Sequence, residues 1–341
     1  MNPRVSADLW RGRWVAFSRD RLAVSGVAII VAFALGALLH PLLLATVWDP
    51  AIYHPVTGND PQPVARTVVD TITDRDTQID VARARLRHDP QAQIGDVLDV
   101  PRQPAPPSLT HPLGTDPRGR DVLSQLLFGA RTAFALGAVA AVTTVVLGTG
   151  LAAVAAVRGG WLAALLLRLA DYVLLLPAIP FVIFASAIVD VSIIALGVVL
   201  GITSGLGPTA IVLHAQARTI VVQPFVDAAR LAGGGTWPVV RRHVMPHLAP
   251  VALLSMMTTV ALAIGAEAIL SLFGLVETSM SWGVMLGVAD AGGYFADGIA
   301  AWWLLVPAGG AVTLLAGASY LVGRGFDTLV DPRLRSVAVE R

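Results

Sequence analysis

This chain of 341 residues contains no cysteine and no lysine. The absence of cysteine excludes disulfide bridges, thiolate catalysis and metal sites with cysteine ligands. The absence of lysine excludes the phosphate-binding loop GxxxxGK[ST], in which the lysine reaches the phosphates of a nucleotide. A function driven by ATP would therefore need a separate ATPase subunit.

Charged residues are also scarce. They make up 14% of the chain, against about 25% in an ordinary soluble domain. Hydrophobic residues make up 55%, and the mean hydropathy is +0.70. A soluble fold of this size cannot bury so much apolar surface. The composition therefore predicts a membrane protein.

Windows without Asp, Glu or Arg are long enough to cross a hydrocarbon core of about 30 Å. They predict an all-α protein with six transmembrane helices, over residues 22–48, 132–157, 172–189, 191–217, 243–266 and 298–323. A tight turn near Asp190 joins the third helix to the fourth. Gly201 and Gly205 form a GxxxG pair, which favours close packing of helices.

The arginines predict the orientation of the chain. Apart from those in the long stretch after the first helix, they lie in the two ends and in alternate short loops, and cytoplasmic loops are rich in basic residues. Both ends are therefore predicted to be cytoplasmic. The predicted parts are a cytoplasmic N-terminal segment (1–21), a first transmembrane helix (22–48), an extracytoplasmic insertion (49–110), a five-helix core (111–323) and a cytoplasmic tail (324–341).

The insertion divides by composition. Residues 65–99 are charged and carry apolar residues at helical spacing, which predicts one or two short amphipathic helices outside the membrane. Residues 101–107 (PRQPAPP) predict a stiff, extended connector. A solvated elaboration without a specific partner remains the alternative to a binding surface.

Few ionisable residues are expected inside the membrane. Asp171, His214 and Glu267 are placed near the ends of predicted spans, where they would cap helices or reach the interface. Coupling to protons or sodium usually leaves ionisable residues deep in the bilayer. The sequence therefore gives no support for such coupling.

No metal or catalytic site is predicted. His243 and His247 have the i, i+4 spacing of a ligand pair, but no carboxylate stands near them. His111, Asp116 and Asp121 form a polar segment before the second helix and do not show the spacing of a metal site. No combination of nucleophile and base, and no pair of carboxylates, stands out.

The predicted cytoplasmic loop over residues 218–247 has a helix–glycine–helix pattern. Residues 227–232 (DAARLA) predict a helix with an acid in its first turn, where the acid complements the helix dipole. Gly233 to Gly235 end that helix, and a second one is predicted with Thr236 as N-cap and Pro238 just inside. The loop would suit docking in a groove of a cytoplasmic protein. A linker held on anionic lipid by its arginines is the alternative.

The residues of this loop resemble a known motif. Asp227-Ala228-Ala229, Gly233 and Met245-Pro246 are similar to the EAA loop of ABC-importer permeases. Other segments resemble, in the same order, the second permease of dipeptide and oligopeptide ABC importers: His111 to Arg131, the spacing of Arg168, Asp171 and Pro177, Glu267 to Leu275, Ser281 to Leu286, and Asp331 to Arg335.

The resemblance implies a type I importer permease fold and a role as half of a translocation pathway for peptides. It implies a bacterial cytoplasmic membrane and three kinds of partner besides lipid: a homologous permease, two ATPase subunits that bind ATP and Mg²⁺, and an external binding protein. No nucleic acid and no cofactor of this chain's own are implied. The expected ATPase contacts are Asp227, Ala228, Ala229, Arg230 and Gly233, flanked by Arg241 and Arg242. The expected binding-protein contacts are Ser281, Trp282 and Gly283.

Three departures from the family pattern matter. Asp227 replaces the usual Glu but keeps its charge, and Gly234 and Gly235 predict a more flexible coupling element. Residues 57–105 exceed the usual length, and we expect them to contact the binding protein. Nickel chelates or glutathione-like compounds are alternative substrates. A secondary transporter acting alone and a membrane scaffold are alternative functions.

Overall fold

The computed structural model describes residues 17–18, 20–60, 64–68, 90–91, 93, 97–101, 104–296 and 298–327. These residues are mostly helical. The α-helices are α1 (Arg21–Thr46), α2 (Pro50–Tyr53), α3 (Val122–Arg158), α4 (Gly160–Leu175), α5 (Ala178–Ser186), α6 (Ile193–Leu206), α7 (Pro208–Val221), α8 (Pro224–Leu231), α9 (Thr236–Val239), α10 (Met245–Leu272), α11 (Trp282–Ala291) and α12 (Trp302–Asp327). A π-helical turn (Val240–Val244) joins α9 to α10, and a 3₁₀ turn (Gly298–Ala301) precedes α12.

Five helical segments are long and apolar enough to cross a membrane: Arg21–Thr46, Val122–Arg158, Ile193–Val221, Thr236–Leu272 and Trp302–Phe326. A sixth crossing is formed if α4 and α5, which meet at a bend of 69°, count as one span. The predicted α-helical membrane fold is therefore confirmed, and the predicted number of six spans is reached if this bent pair counts as one. Below, the end of the bundle that carries residues 218–247 is called the inner end and the opposite one the outer end, following the predicted orientation.

N-cap side chains determine where several helices begin. The carboxylates of Asp20 and Asp121 accept backbone N–H groups of α1 and α3, and Ser192 and Ser281 do the same for α6 and α11. Because Asp121 caps α3, that helix starts ten residues before the predicted span 132–157. The added turns carry buried polar side chains, which a hydropathy window does not detect.

Helix α3 lies at the centre of the bundle, in contact with α1, α6, α7 and α10. Its closest neighbour is α6, where glycine is required. A Cβ on Gly201 would lie 2.5 Å from the Cβ of Thr143, and one on Gly205 would lie 3.1 Å from the Cα of Thr144. The close packing predicted for this GxxxG pair is therefore confirmed.

The long segment before α3 contains a small antiparallel ribbon. Strand β1 (Val64–Val68) pairs with β2 (Val97–Pro101), with Val64 opposite Pro101 and Val68 opposite Val97. The prediction of amphipathic helices over residues 65–99 is therefore wrong at both ends of that range, because the two ends pair with each other. Most of the residues between the strands lie outside the described residues, as do residues 1–16 and 328–341.

The packing of α4 against α6 and α7 shows at which level of the bundle Asp171 lies. The Cγ1 of Val173 is 3.1 Å from the position of a Cβ on Gly207. Gly207 separates α6 from α7 and is the middle residue of the span Ile193–Val221. Asp171 precedes Val173 by two residues, so it lies within one helical turn of the middle of that span. The prediction that Asp171 lies at the end of a span is therefore wrong.

Candidate functional site

Helix α8 lies near the start of the inner loop, as we call residues 218–247, and one side of the helix packs against the bundle. Pro224 occupies its first turn, where a missing N–H costs nothing, and Val226 is fully buried. Asp227, Ala228 and Arg230 are exposed on the other side. The helix therefore presents Asp227 and Ala228, two of the residues expected to contact the ATPase, away from its own chain, whereas the side chain of Arg230 also reaches back to α3.

Gly233 ends α8 with a Schellman motif. Its φ is +85°, its N–H donates to the carbonyl of Arg230 at 2.9 Å, and the N–H of Gly234 donates to the carbonyl of Ala229 at 2.9 Å. A Cβ on Gly234 would lie 2.6 Å from that carbonyl oxygen. The first two glycines therefore form a defined turn, which does not support the expected flexibility at Gly234. Gly235, not Thr236, is the N-cap of α9.

Arg230 is partly held by its own chain. One terminal nitrogen lies 3.8 Å from an Asp227 carboxylate oxygen, and the other donates to the carbonyl of Val157 at 3.4 Å, at the end of α3. Both side chains are exposed, so the ion pair contributes little stability. The contact with α3 nevertheless joins the inner loop to the central helix. Arg241 and Arg242, on the π-helical turn, are both exposed.

Two large apolar side chains flank the glycine turn. Leu231 is 90% exposed and Trp237 is 62% exposed, while Val239 and Val240 are buried in the core of the bundle. Large exposed apolar side chains often belong to a contact surface. The sequence reasoning missed Leu231 and Trp237, although both stand beside the glycines that it identified.

The inner loop continues directly into the fifth span. Helix α9, the π-helical turn and α10 form one helical segment, Thr236–Leu272. The N–H of Met245 donates to the carbonyl of Val240, which is the i to i−5 pattern of a π-helix. Pro246 follows at once, and its missing N–H and its ring prevent a regular α-turn at that point.

The two histidines of this region serve packing. The Nδ1 of His247 lies 2.8 Å from the carbonyl oxygen of His243, and the ring of Phe225 stacks on that of His247 with 5.5 Å between centroids. These contacts fix α8 against α10. Within the described part of the chain, no three His, Cys, Asp or Glu side chains are placed to hold a metal ion.

The residues expected to meet a binding protein are buried inside the chain. Trp282 is 1% exposed, its Nε1–H donates to the carbonyl of Leu126 at 2.9 Å, and its ring fills the space left by Gly129. Ser281 caps α11 with its hydroxyl, and Gly283 leaves no room for a Cβ beside Ala268. The prediction that Ser281, Trp282 and Gly283 contact a partner is therefore wrong, because their side of α11 packs against α3 and α10.

A buried polar cluster closes the outer end. The ring of His111 lies between two carboxylates, with Nδ1 2.8 Å from Asp121 and Nε2 2.7 Å from Asp60. Burial raises the pKa of Asp121 above its ordinary value, against the lowering effect of its bonds to Ser124 and His111. The cluster ties the segment before the ribbon to the start of α3.

Asp116 forms a second set of buried polar interactions close to His111 in the sequence. Its carboxylate pairs with the guanidinium of Arg120 at 2.6 Å and accepts a hydrogen bond from Gln125 at 3.0 Å.

Two further ionisable residues lie buried within helices. Glu267 accepts a hydrogen bond from the hydroxyl of Ser271 at 2.7 Å, and His214 is buried in α7.

Comparison with known proteins agrees with this architecture. Residues 125–336 match the family model described as "Binding-protein-dependent transport system inner membrane component". A Brucella suis protein named as a permease of a peptide transport system is 34% identical over 236 residues, which cover 67% of this chain and 76% of that protein.

Two Bacillus subtilis proteins show similar agreement. The dipeptide transport system permease protein DppC is 30% identical over 68% of this chain and 72% of its own length. The oligopeptide transport system permease protein OppC is 30% identical over 67% of this chain and 74% of its own length. Since the family model covers more than half of the chain, the chain belongs to the family of membrane components of binding-protein-dependent transport systems.

Proposed function

We propose that this chain is the transmembrane subunit of an ATP-driven importer of dipeptides or oligopeptides. The observation that carries the proposal is the inner loop: a capped helix, a glycine turn and a second helix that is continuous with a membrane span. The relatives named as peptide permeases support the choice of substrate.

In this proposal the chain resides in a bacterial inner membrane with both ends in the cytoplasm. It pairs with a homologous permease, so that two chains enclose the pathway. Two cytoplasmic ATPase subunits bind ATP and Mg²⁺, since this chain has no lysine with which to build a phosphate loop. An external binding protein delivers the peptide.

The inner loop is the proposed docking surface for an ATPase subunit. Asp227, Ala228 and Gly233 lie on the exposed side of the loop, and the apolar side chains of Leu231 and Trp237 would enter the partner's cleft. Ala229 and Arg230 contribute less directly, because Ala229 is half-buried and Arg230 contacts α3. Arg241 and Arg242 would meet acidic groups at the rim of the cleft.

Movement of the docked loop would reach the pathway through the fifth span. When the two ATPases close on ATP, the loop moves with them, and the segment Thr236–Leu272 tilts as one body. Rigid-body rotation of packed helices can then open the pathway alternately to the two sides of the membrane.

The ribbon segment between α2 and α3 is proposed to lie outside the membrane and to contact the binding protein. The predicted orientation, together with the position of the segment at the end of the bundle opposite to residues 218–247, supports this proposal. Its two strands pair with each other and leave the intervening residues to form the contact.

The test is co-expression of this chain with the companion permease, the ATPases and the binding protein, followed by reconstitution in proteoliposomes. Co-purification of all subunits and peptide uptake that requires ATP and the binding protein are the expected results. Uptake by this chain alone under a proton gradient would instead identify a secondary transporter. Binding of a soluble partner without any flux would identify a scaffold.

The ligand carried by the binding protein tests the substrate separately. A peptide recovered from the purified binding protein is the expected result. A nickel chelate or a glutathione-like compound would keep the importer assignment and replace the peptide.

A further inference from the structure

Helix α4 carries two charged side chains that point away from its own chain. Its buried residues, Ala163, Leu166 and Ala170, lie along one side of the helix. Arg168 and Asp171 are exposed on the other side, and their i, i+3 spacing places them on one face. Ala164 and Leu175 extend this face to a row of four residues, which we call the charged stripe.

The length and apolar composition of the neighbouring span place the stripe within the membrane. Val173 touches the backbone at Gly207, the middle residue of the span Ile193–Val221. With a rise of 1.5 Å per residue, Asp171 lies about 3 Å and Arg168 about 7.5 Å along the helix from that level. Charged side chains at such depth face a water-filled cavity or another protein, since contact with lipid tails is costly.

The helix also breaks at this depth. Helix α4 ends at Leu175, α5 begins at Ala178, and the two axes differ by 69°. Pro177 has no N–H to donate to the carbonyl of Val173, which accepts a hydrogen bond from the N–H of Leu176 at 3.2 Å instead.

The two charges are also available to a ligand. Among the residues that the structure describes, no ion pair within 4.0 Å joins Arg168 to Asp171, although their spacing would permit one. Two opposite charges that are exposed and separate match a solute that carries both a carboxylate and an ammonium group.

We infer that the charged stripe lines a water-filled passage through the membrane, in which Arg168 binds the carboxylate and Asp171 the ammonium group of a zwitterionic solute. The identity of that solute as a peptide rests on the proposed function. The existence of the passage rests only on the depth and the exposure of the two charged side chains.

Thiol labelling tests the passage, and the cysteine-free chain gives no background of its own. Single-cysteine variants Ala164→Cys and Leu175→Cys place a thiol on the stripe. Leu165→Cys and Leu169→Cys are the controls, because both leucines are exposed on the adjacent face of α4. The probe is a negatively charged methanethiosulfonate reagent applied to the assembled transporter in proteoliposomes.

The stripe variants should react at least about tenfold faster than the controls, since a thiolate forms readily in water and poorly in lipid. Equal reactivity of all four variants would overturn the inference. So would a disulfide between the Ala164→Cys chain and a cysteine placed in the companion permease, because it would show a protein interface there.

Charge removal tests the solute. Uptake of a zwitterionic dipeptide is compared with uptake of the same dipeptide amidated at its carboxyl end, with the binding protein in excess. Arg168→Gln should slow the zwitterion about tenfold and leave the amidated peptide unchanged, because one charge-assisted hydrogen bond is lost. The control is Arg158→Gln, at the exposed inner end of α3, which should change neither rate.

A zwitterion that is transported at the wild-type rate by the Arg168→Gln variant would overturn the assigned role of Arg168. If the wild-type transporter moves no peptide, the proposed function fails. The labelling pattern then still decides whether the passage exists.

Discussion

At Gly233 the backbone adopts a φ of +85°, and an alanine there would meet the steric cost of a left-handed conformation, about 1–2 kcal/mol. The Gly233→Ala variant should therefore distort the turn between α8 and α9. We expect normal insertion and assembly, with reduced stimulation of ATP hydrolysis by the binding protein. The measurement is ATPase activity in proteoliposomes with and without binding protein.

Gly235→Ala provides the matched control for that variant. Gly235 has a φ of −69°, and a Cβ there would meet only Pro238, at 3.9 Å. Its coupling should equal that of the wild type. Equal coupling in both variants would show that the shape of the glycine turn does not matter.

Trp282 tests the opposite kind of role, because its ring is buried between helices. Trp282→Ala should lower the free energy of unfolding by about 3–5 kcal/mol, the usual cost of emptying such a site. The expected readout is a lower melting temperature of the purified protein. Trp161→Ala, at a tryptophan that is 76% exposed, should leave the melting temperature almost unchanged.

One combination of results would contradict the buried position of Trp282. If Trp282→Ala kept its melting temperature and lost affinity for the binding protein, the ring would have to reach the surface. The burial described here would then not represent the working transporter.

Sequence reasoning failed at single residues where the outcome depends on a distant partner. A tryptophan near the end of a membrane span is typical of an interfacial anchor. Trp282 is instead buried between helices, because its ring fills the space beside Gly129, more than 150 positions earlier in the chain. The depth of Asp171 similarly depends on the contact between Val173 and Gly207. Neither contact leaves a local pattern in the sequence.

At the scale of elements, the ribbon makes the long insertion accessible to experiment. Val68 lies directly opposite Val97, so the residues between them can be replaced by a two-residue Asn-Gly turn without disturbing the strands. We expect this variant to assemble normally and to bind the binding protein more weakly. Binding by surface plasmon resonance to the reconstituted transporter is the measurement.

The control for the ribbon replaces the same residues with a Gly/Ser linker of equal length, which keeps the length and removes the side chains. If the short turn and the linker both preserve binding-protein affinity and uptake, the insertion has no docking role.

Elements with a strong local pattern were predicted well. The first span was predicted over 22–48 and is Arg21–Thr46, and the last was predicted over 298–323 and is Trp302–Phe326. The loop helix α8 follows from its own residues and its glycine stop. The ribbon was missed because pairing joins residues about thirty positions apart, and the break at Pro177 was missed because composition alone does not separate a bend from a straight span.

At the scale of the whole molecule, the orientation is a prediction that two substitutions can test. Leu109→Cys places a thiol at a fully exposed site of the outer end, and Trp237→Cys places one on the inner loop. In intact cells, a membrane-impermeant maleimide should label the Leu109→Cys variant. The Trp237→Cys variant should be labelled only after the cells are permeabilised.

Each variant is the control of the other, since neither background contributes a thiol from this chain. The reverse labelling pattern would invert the protein in the membrane. It would also place the inner loop out of reach of any cytoplasmic ATPase.

The continuous helical segment Thr236–Leu272 has a consequence for how the membrane stays sealed during transport. With 37 residues it is about 55 Å long, enough to extend from the inner loop to the far side of the bilayer. A lever of this length converts a small push at its base into an opposite swing at its tip. In the proposed importer the two mouths of the pathway would be parts of one moving body, so that opening one would close the other and the membrane would not leak during a cycle.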